Sequence, residues 1–119
     1  MNLQANTVTV DEDGPITNIG FADEPYDTKD YVLLSYNREE PEEGLHIEMN
    51  DQKWSGYGLV KAVQLLDSSV VIELTEKGMK ELHAGSSIVI SILPKVQNWP
   101  SFSNKISVQL APLVPVIRG

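Results

Sequence analysis

The stretch LHIEMNDQKWSGYGLVKAVQLLDSSVVIELTEKGMKELHAGSSIVISIL, residues 45–93, contains the clearest regular pattern in the chain and decides its fold. Apolar and polar side chains alternate over residues 45–49, which predicts a half-buried strand. Apolar segments at 59–65 and 70–74 follow, separated by a short turn-forming sequence. Three consecutive strands with short connections predict an antiparallel meander at the centre of the protein.

The remainder of this stretch predicts the elements around the meander. Residues 50–58 combine polar side chains with two glycines, which is typical of a turn. Thr75 is a suitable N-cap for a short helix over residues 76–83, and Gly85 supplies its end. Residues 87–93 place three isoleucines on one face and therefore predict a further strand.

The N-terminal part of the chain predicts more β structure. Residues 6–10 and 16–22 have strand composition, and the sequence 11–15 between them has turn chemistry, so a hairpin is expected. Residues 31–36 form a strongly apolar strand segment. A charged loop, 37–44, then leads into the central meander.

The C-terminal part is ambiguous. Trp99, Phe102, Ile106 and Leu110 have helical spacing, whereas the end of the same segment also alternates as a strand would. A proline early in the segment favours the helix. The last residues, 110–119, are expected to form an extended, proline-rich tail.

These patterns together predict an α+β fold. We expect a mainly antiparallel sheet of six to seven strands with a meander core, accompanied by one or two short helices. A chain of 119 residues can bury a sizeable core, so a single domain over residues 1–119 is expected.

The charge of the chain is unevenly distributed. Residues 1–51 contain thirteen acidic side chains and two basic ones, a balance of −11. Residues 52–119 contain four acidic and seven basic side chains, a balance of +3, which gives the net −8 of the whole chain. An acidic half does not suit binding to nucleic acid phosphates. It suits a basic protein partner, although acidity also serves solubility alone.

Several other classes of protein are disfavoured by the sequence. The chain has no cysteine, so neither disulfides nor thiolate chemistry is available. No apolar run approaches the roughly 18 residues of a membrane span. The N-terminus lacks the basic and apolar regions of a secretory signal, so a cytoplasmic protein with no membrane contact is expected.

The sequence offers no convincing catalytic, cofactor or metal site. His46 and His83 have no ligand neighbours at zinc spacing. The acidic sequence 11–14 resembles the start of a calcium loop, but Ala22 occupies the position where a bidentate glutamate is needed. Ser55 and its flanking glycines match neither a hydrolase elbow nor a phosphate-binding loop. We therefore expect no enzymatic activity and no cofactor.

A protein-binding surface is the better candidate. Aromatic residues are enriched in interfaces, and Trp54 and Tyr57 lie in a glycine-containing turn close to acidic residues. The alternative is that each ring covers an edge of the core with its polar tip in water. The candidate partner-binding residues are Glu39, Glu40, Glu42, Glu43, Asp51, Gln52, Trp54 and Tyr57.

The central stretch also resembles a known family. The sequence EGLHIEMNDQ at 43–52, followed by SGYG at 55–58, is similar to the immunity protein 10 family of bacterial polymorphic toxin systems. The resemblance extends over roughly residues 20–110, and the spacing of residues 102–110 is similar to the family's terminal helix. The serine-rich segment 99–107 and the proline-rich tail depart from the family pattern.

This resemblance implies an antitoxin role without catalysis. Such a protein binds a cognate toxin domain, here expected to be basic, and blocks it stoichiometrically inside the producing cell. Two alternatives stay open from the sequence. The chain is a structural or adaptor module, for instance a homodimer formed through an exposed strand edge rather than a monomer, or it is an enzyme that uses its acidic residues.

Overall fold

The computed structural model describes residues 1–50 and 54–119; residues 51–53 lie within a strand and their side chains are not described. The elements follow one another along the chain in this order: β1 Asn2–Ala5, β2 Thr7–Asp13, β3 Ile16–Ala22, β4 Tyr31–Asn37, a short 3-10 helix Pro41–Glu43, β5 His46–Met49, β6 Asp51–Tyr57, β7 Val60–Leu65, β8 Ser69–Leu74, α1 Glu76–Leu82, β9 Ser87–Ile92, α2 Trp99–Leu110 and β10 Val116–Arg118.

Five consecutive strands, β2 to β6, form one antiparallel sheet in chain order, named here the meander sheet. The predicted hairpin at its start is confirmed, but the turn is shorter than expected. Asp13 pairs with Ile16, so the acidic residues 11–13 belong to β2. Gly14, with a φ of 57°, and Pro15 alone make the connection, which is the two-residue type that glycine favours.

The remaining strands form a second sheet in the order β1-β9-β8-β7-β10, named here the mixed sheet. Its three central strands are antiparallel, whereas β1 and β10 add to the edges in parallel with β9 and β7. Parallel neighbouring strands must be joined by a long crossover. Strand β1 lies at the start of the chain and β10 at its end, so both parallel pairs are joined by long segments. The alternation of Ile88, Ile90 and Ile92 along β9 turns all three buried side chains to the same face.

The α+β class is confirmed, but the predicted single sheet and its central meander are wrong. The segments at 45–49 and 59–65 belong to different sheets, and residues 54–57 continue strand β6 instead of forming a turn. The chain changes sheet at Gly58, whose φ is 72°, and Leu59 is buried directly after it. Hydrophobic alternation indicates which face of a strand is buried, but it does not indicate which other strand lies beside it. The sequence pattern therefore could not show that these segments belong to different sheets.

A single cluster of buried side chains draws on the inner faces of both sheets. Phe21 and Leu34 contribute from the meander sheet, and Ile72 and Ile90 from the mixed sheet. Alternate residues point outward on both sheets, so each has one buried and one open face.

The C-terminal elements cover the core and close the mixed sheet. The preferred helix over residues 99–110 is confirmed as α2, which buries Trp99, Ile106 and Leu110. The Nε1 of Trp99 donates a hydrogen bond to the carbonyl of Leu66 at 3.1 Å. The expected tail is extended, but it ends in a strand, because β10 pairs with β7. Neither α-helix is long and apolar enough to cross a membrane in the described part of the chain.

Candidate functional site

One end of the meander sheet concentrates negative charge. The β2–β3 hairpin and the connection between β4 and β5 both turn at this end, and each carries several exposed or half-exposed carboxylates. We call this surface the acidic end; it comprises Asp11, Glu12, Asp13, Glu39, Glu40, Glu42 and Glu43.

Arg38 joins the two acidic segments. Its backbone N–H donates to the carbonyl of Pro15 at 2.9 Å, and its guanidinium donates to the carbonyl of Gly14. The same guanidinium lies 3.8 Å from a carboxylate oxygen of Glu12 and donates to the hydroxyl of Thr17 at 2.9 Å. The hydrogen bonds of Arg38 hold the hairpin against the loop. Its side chain is 30% exposed, and a single partly exposed positive charge offsets little of the negative charge around it.

The loop that carries the four glutamates is ordered by its own backbone. The side chain of Asn37 accepts from the N–H of Glu39 at 2.9 Å, and the N–H of Glu43 donates to the carbonyl of Glu40 at 3.1 Å. Gly44, with a φ of 85°, ends the turn before the buried Leu45. This geometry projects the glutamates into solvent.

Interactions between the glutamates of the loop perturb the ionisation of one of them. A side-chain hydrogen bond with Glu40, together with the negative charge of that residue, raises the pKa of Glu43; slight desolvation and the charge of Glu42 add to the effect. Folding therefore holds these carboxylates close together at a cost. Surfaces that maintain unfavourable like charge are candidates for binding an oppositely charged partner.

Tyr57 lies at the same end of the sheet, on the outer face. It pairs with His46 across β5 and β6, and the two rings meet edge to face with centroids 4.9 Å apart. The tyrosine is 47% exposed. His46 follows the acidic loop by three residues, so Tyr57 pairs with β5 at the end of the sheet where that loop enters the strand.

Trp54 does not share this surface. It lies three residues from Tyr57 on the same strand, so its side chain points to the opposite face, where it packs against the core. It is nevertheless only half-buried. Of the two interpretations of the aromatic pair, the interface anchor suits Tyr57 and the core-covering role suits Trp54.

The structure groups some of the predicted site residues and adds others. Glu39, Glu40, Glu42 and Glu43 are together and exposed, whereas the predicted contacts at Asp51 and Gln52 lie outside the described residues. The acidic residues 11–13 were not expected in the site. If the predicted hairpin is aligned beside the strand at 31–36, these acidic residues lie near Arg38. The predicted strand pairing could therefore have added them to the site.

No group of three or more histidine or acidic side chains in the described residues is arranged to hold a metal ion. Among the same residues, no buried side-chain nitrogen or oxygen is left without a hydrogen-bond partner. The acidic end consists of exposed carboxylates, with the Tyr57 and His46 rings at the same end of the sheet.

Comparison with known families identifies the chain at this point. The model of the family described as Immunity protein 10 matches residues 4–98, which is most of the sequence. The chain belongs to the immunity protein 10 family. Membership confirms the resemblance found in the central stretch and implies an immunity protein directed against a toxin.

The matched region begins in β1 and ends just before α2. It therefore contains the whole meander sheet, with the acidic end and Tyr57. It also contains β7, β8 and β9 of the mixed sheet and the second half of β1, but not β10. No curated protein matches the chain at a significant level.

Proposed function

We propose that residues 1–119 form one immunity domain that binds a cognate toxin domain in the cytoplasm and blocks it by stoichiometric contact, without catalysis. The observation that carries this proposal is the family match over residues 4–98. The uneven charge supports a basic toxin, because complementary potentials accelerate encounter and favour the correct partner.

We further propose that the toxin contacts the acidic end. The exposed glutamates of the loop 39–43 supply charge, and Tyr57 supplies an amphipathic ring beside them. Asp51 and Gln52 are retained as contacts in this proposal. Trp54 is assigned to supporting the strand from the core side, since that is where it packs.

The alternative of a homodimer through a strand edge is less well supported. Strand β2 forms one edge of the meander sheet, and its second half carries three consecutive acidic side chains. Charged side chains on an edge strand oppose pairing with a second copy. At the other edge of this sheet, α1 packs against β6. We therefore propose a monomer before toxin binding.

Under this proposal, a toxin domain is encoded next to this chain's gene, and that domain is the partner used in the test. We expect co-expression of the immunity protein to restore growth of cells that produce this domain, and the two purified proteins to form a one-to-one complex. The variant in which Glu39, Glu40, Glu42 and Glu43 are all lysine should bind at least about 100-fold more weakly, because like charges then face each other.

A matched variant separates local from global charge. Replacing Asp67, Glu73, Glu76 and Glu81 by lysine changes the net charge equally, but these residues lie on the mixed sheet, its β7–β8 turn and α1. We expect this control to bind within about tenfold of the unmodified protein in physiological salt, because none of the four residues belongs to the acidic end and salt weakens interactions between exposed charges that do not touch. Absence of both rescue and binding by the unmodified protein would contradict the proposed function.

A further inference from the structure

The outer face of the meander sheet is continuous and open. Strand register places one residue from each of its five strands in a single row, named here the long row: Asp11, Asn18, Ser35, His46 and Tyr57. A second row runs parallel to it through Thr9, Gly20, Leu33, Glu48 and Ser55. None of these ten residues is buried.

The dimensions of this face suit one part of a protein interface. Five strands spaced about 4.8 Å apart give a width of about 19 Å, and seven-residue strands give a length of about 24 Å. The flat area is about half of the roughly 800 Å² that each partner contributes to a standard interface. The acidic end borders the face and can supply much of the rest.

The chemistry of the face favours a basic partner. Asp11 and Asp13 on β2 and Glu48 on β5 bring three carboxylates to it, and no lysine or arginine of the described residues accompanies them there. The other outward side chains are mainly small, hydroxyl-bearing or aromatic. Such residues allow close approach of a second protein at low entropic cost.

A hollow in this face provides a specific position for a side chain. Gly20 forms its floor, and a Cβ atom at that position would lie 2.8 Å from the Oγ1 of Thr9. The volume is about 180 Å³, and Leu33, Tyr31 and Pro25 form apolar parts of its wall. The space is suitable for one long side chain and too small for a folded segment.

One carboxylate lines this hollow, and a second contacts a residue of its wall. Glu24 lines it directly, and Glu48 accepts a hydrogen bond of 2.5 Å from the hydroxyl of Tyr31, another lining residue. An arginine or lysine can pack its aliphatic stem on Leu33 while its charged group approaches these carboxylates. An uncharged apolar side chain would gain nothing from them.

Backbone hydrogen bonds order the loop that forms one wall. The carboxylate of Asp23 accepts from the N–H of Lys29 at 3.1 Å, and the hydroxyl of Thr28 donates to the carbonyl of Glu24 at 2.5 Å. Desolvation acts against ionisation of Asp23, but the backbone N–H of Lys29 and other backbone hydrogen bonds to its carboxylate outweigh it and lower the pKa of Asp23. The hollow is therefore formed before any partner arrives.

We propose that the toxin lies across the outer face of the meander sheet and inserts one arginine or lysine into the hollow above Gly20. This inference rests on the proposed function and extends its surface from the acidic end to the far side of the sheet. It assigns recognition to Asn18 and Ser35, two positions with no charge of their own in the middle of the long row.

The test uses opposite charges at the same position. Ser35→Arg should weaken binding of the neighbouring toxin domain at least about tenfold by calorimetry, because it places like charge in the contact. Ser35→Glu should bind as tightly as the unmodified protein or more tightly. Any structural damage would weaken both variants, so a difference between them reports charge. Asn18→Arg should behave like Ser35→Arg.

Ser69→Arg and Ser91→Arg on the outer face of the mixed sheet provide the control, since these two residues pair across β8 and β9. Both should bind within about twofold of the unmodified protein, in keeping with distant surface changes. Gly20→Ala, which fills the floor of the hollow, should reduce affinity by about fivefold or more, as expected when a central anchor is displaced.

Two outcomes would overturn the inference, and they differ. If Ser35→Arg and Asn18→Arg bind like the mixed-sheet controls while the four-lysine variant of the acidic loop loses binding, the toxin occupies the acidic end alone. The proposed function then stands. If the unmodified protein neither binds nor neutralises the neighbouring toxin domain, both proposals fail.

Discussion

The two sheets are constructed alike on the inside and differ on the outside. Across the meander sheet, the long row presents polar, acidic and aromatic side chains. The equivalent row of the mixed sheet contains Asn2, Val89, Val71, Gln64 and Ile117, which are neutral and half apolar. Since both inner faces join one core, stability requires no such difference between the outer faces. We attribute the difference to binding.

This comparison also explains the uneven charge of the sequence. Residues 1–51 supply β2 to β5, and the acidic excess of this half is therefore concentrated on the meander sheet and its loops. The mixed sheet takes its strands mainly from the second half, in which basic side chains outnumber acidic ones by three. The meander sheet is built from consecutive strands. The charge difference between the two halves of the sequence therefore becomes a charge difference between the two sheets.

The largest effect is expected where the chain passes between the sheets. Gly78 on α1 is buried against this crossing, and a Cβ atom there would lie 2.3 Å from the carbonyl oxygen of Leu59. Gly78→Ala should therefore lower the free energy of unfolding by about 3 kcal/mol, measured by urea denaturation. Lys77→Ala, exposed on the same helix, should change it by less than about 0.5 kcal/mol.

An opposite result at Gly78 would be informative. In an exposed helix, alanine is more favourable than glycine by about 1 kcal/mol. A stabilised Gly78→Ala protein would mean that α1 does not press on the crossing, and the two sheets would then be joined less rigidly than the structure indicates.

A smaller effect is expected from removing the last strand. The carbonyl of Pro115 accepts from the N–H of Val63 at 3.0 Å, and Arg118 donates to the side chain of Asn104 at 2.7 Å. Deleting residues 115–119 should lower the free energy of unfolding by about 2 kcal/mol through these losses. Toxin affinity should not change, because the lost contacts lie on the mixed sheet and α2 and none involves the acidic end or the outer face of the meander sheet.

Ile117→Thr serves as the control for the deletion. It alters a side chain that is 52% exposed and leaves the backbone pairing intact, so stability should be retained. Unchanged stability on deletion would mean that the end of the chain is a free tail, as the sequence suggested.

Sequence patterns predicted individual elements well and their arrangement poorly. The strands at 31–36 and 87–93 and both helices were located, because each has its own period or caps. Strand β1 was missed, since four residues are too short for a pattern, and the end of β6 was hidden by glycines typical of turns. The four glutamates of the loop were proposed as contacts from charge and expected exposure, and the structure shows that they are exposed. The outer face that includes Asn18 and Ser35 could not be predicted, because it depends on the register between neighbouring strands. The sequence of one strand does not specify that register.

The smallest expected effect is a change in the pKa of one carboxylate in the acidic end. It tests whether the charges that distinguish the meander sheet from the mixed sheet interact with one another. Folding raises the pKa of Glu43 above its ordinary value of 4.5, so the folded protein holds this proton more tightly than the unfolded chain. The stability gained from protonation is therefore present at low pH and is lost as the pH rises through the raised pKa.

Glu40→Ala removes both the hydrogen bond and the charge that cause this shift, so the pKa of Glu43 should return towards 4.5 in an NMR titration of its side-chain carboxyl. Glu39→Ala should leave that pKa where it is, because Glu39 is not among the groups that perturb Glu43. If Glu40→Ala has no effect, the glutamates are independent and fully solvated. The acidic end would then attract a partner only by its summed charge, and the specific contacts would have to come from the outer face.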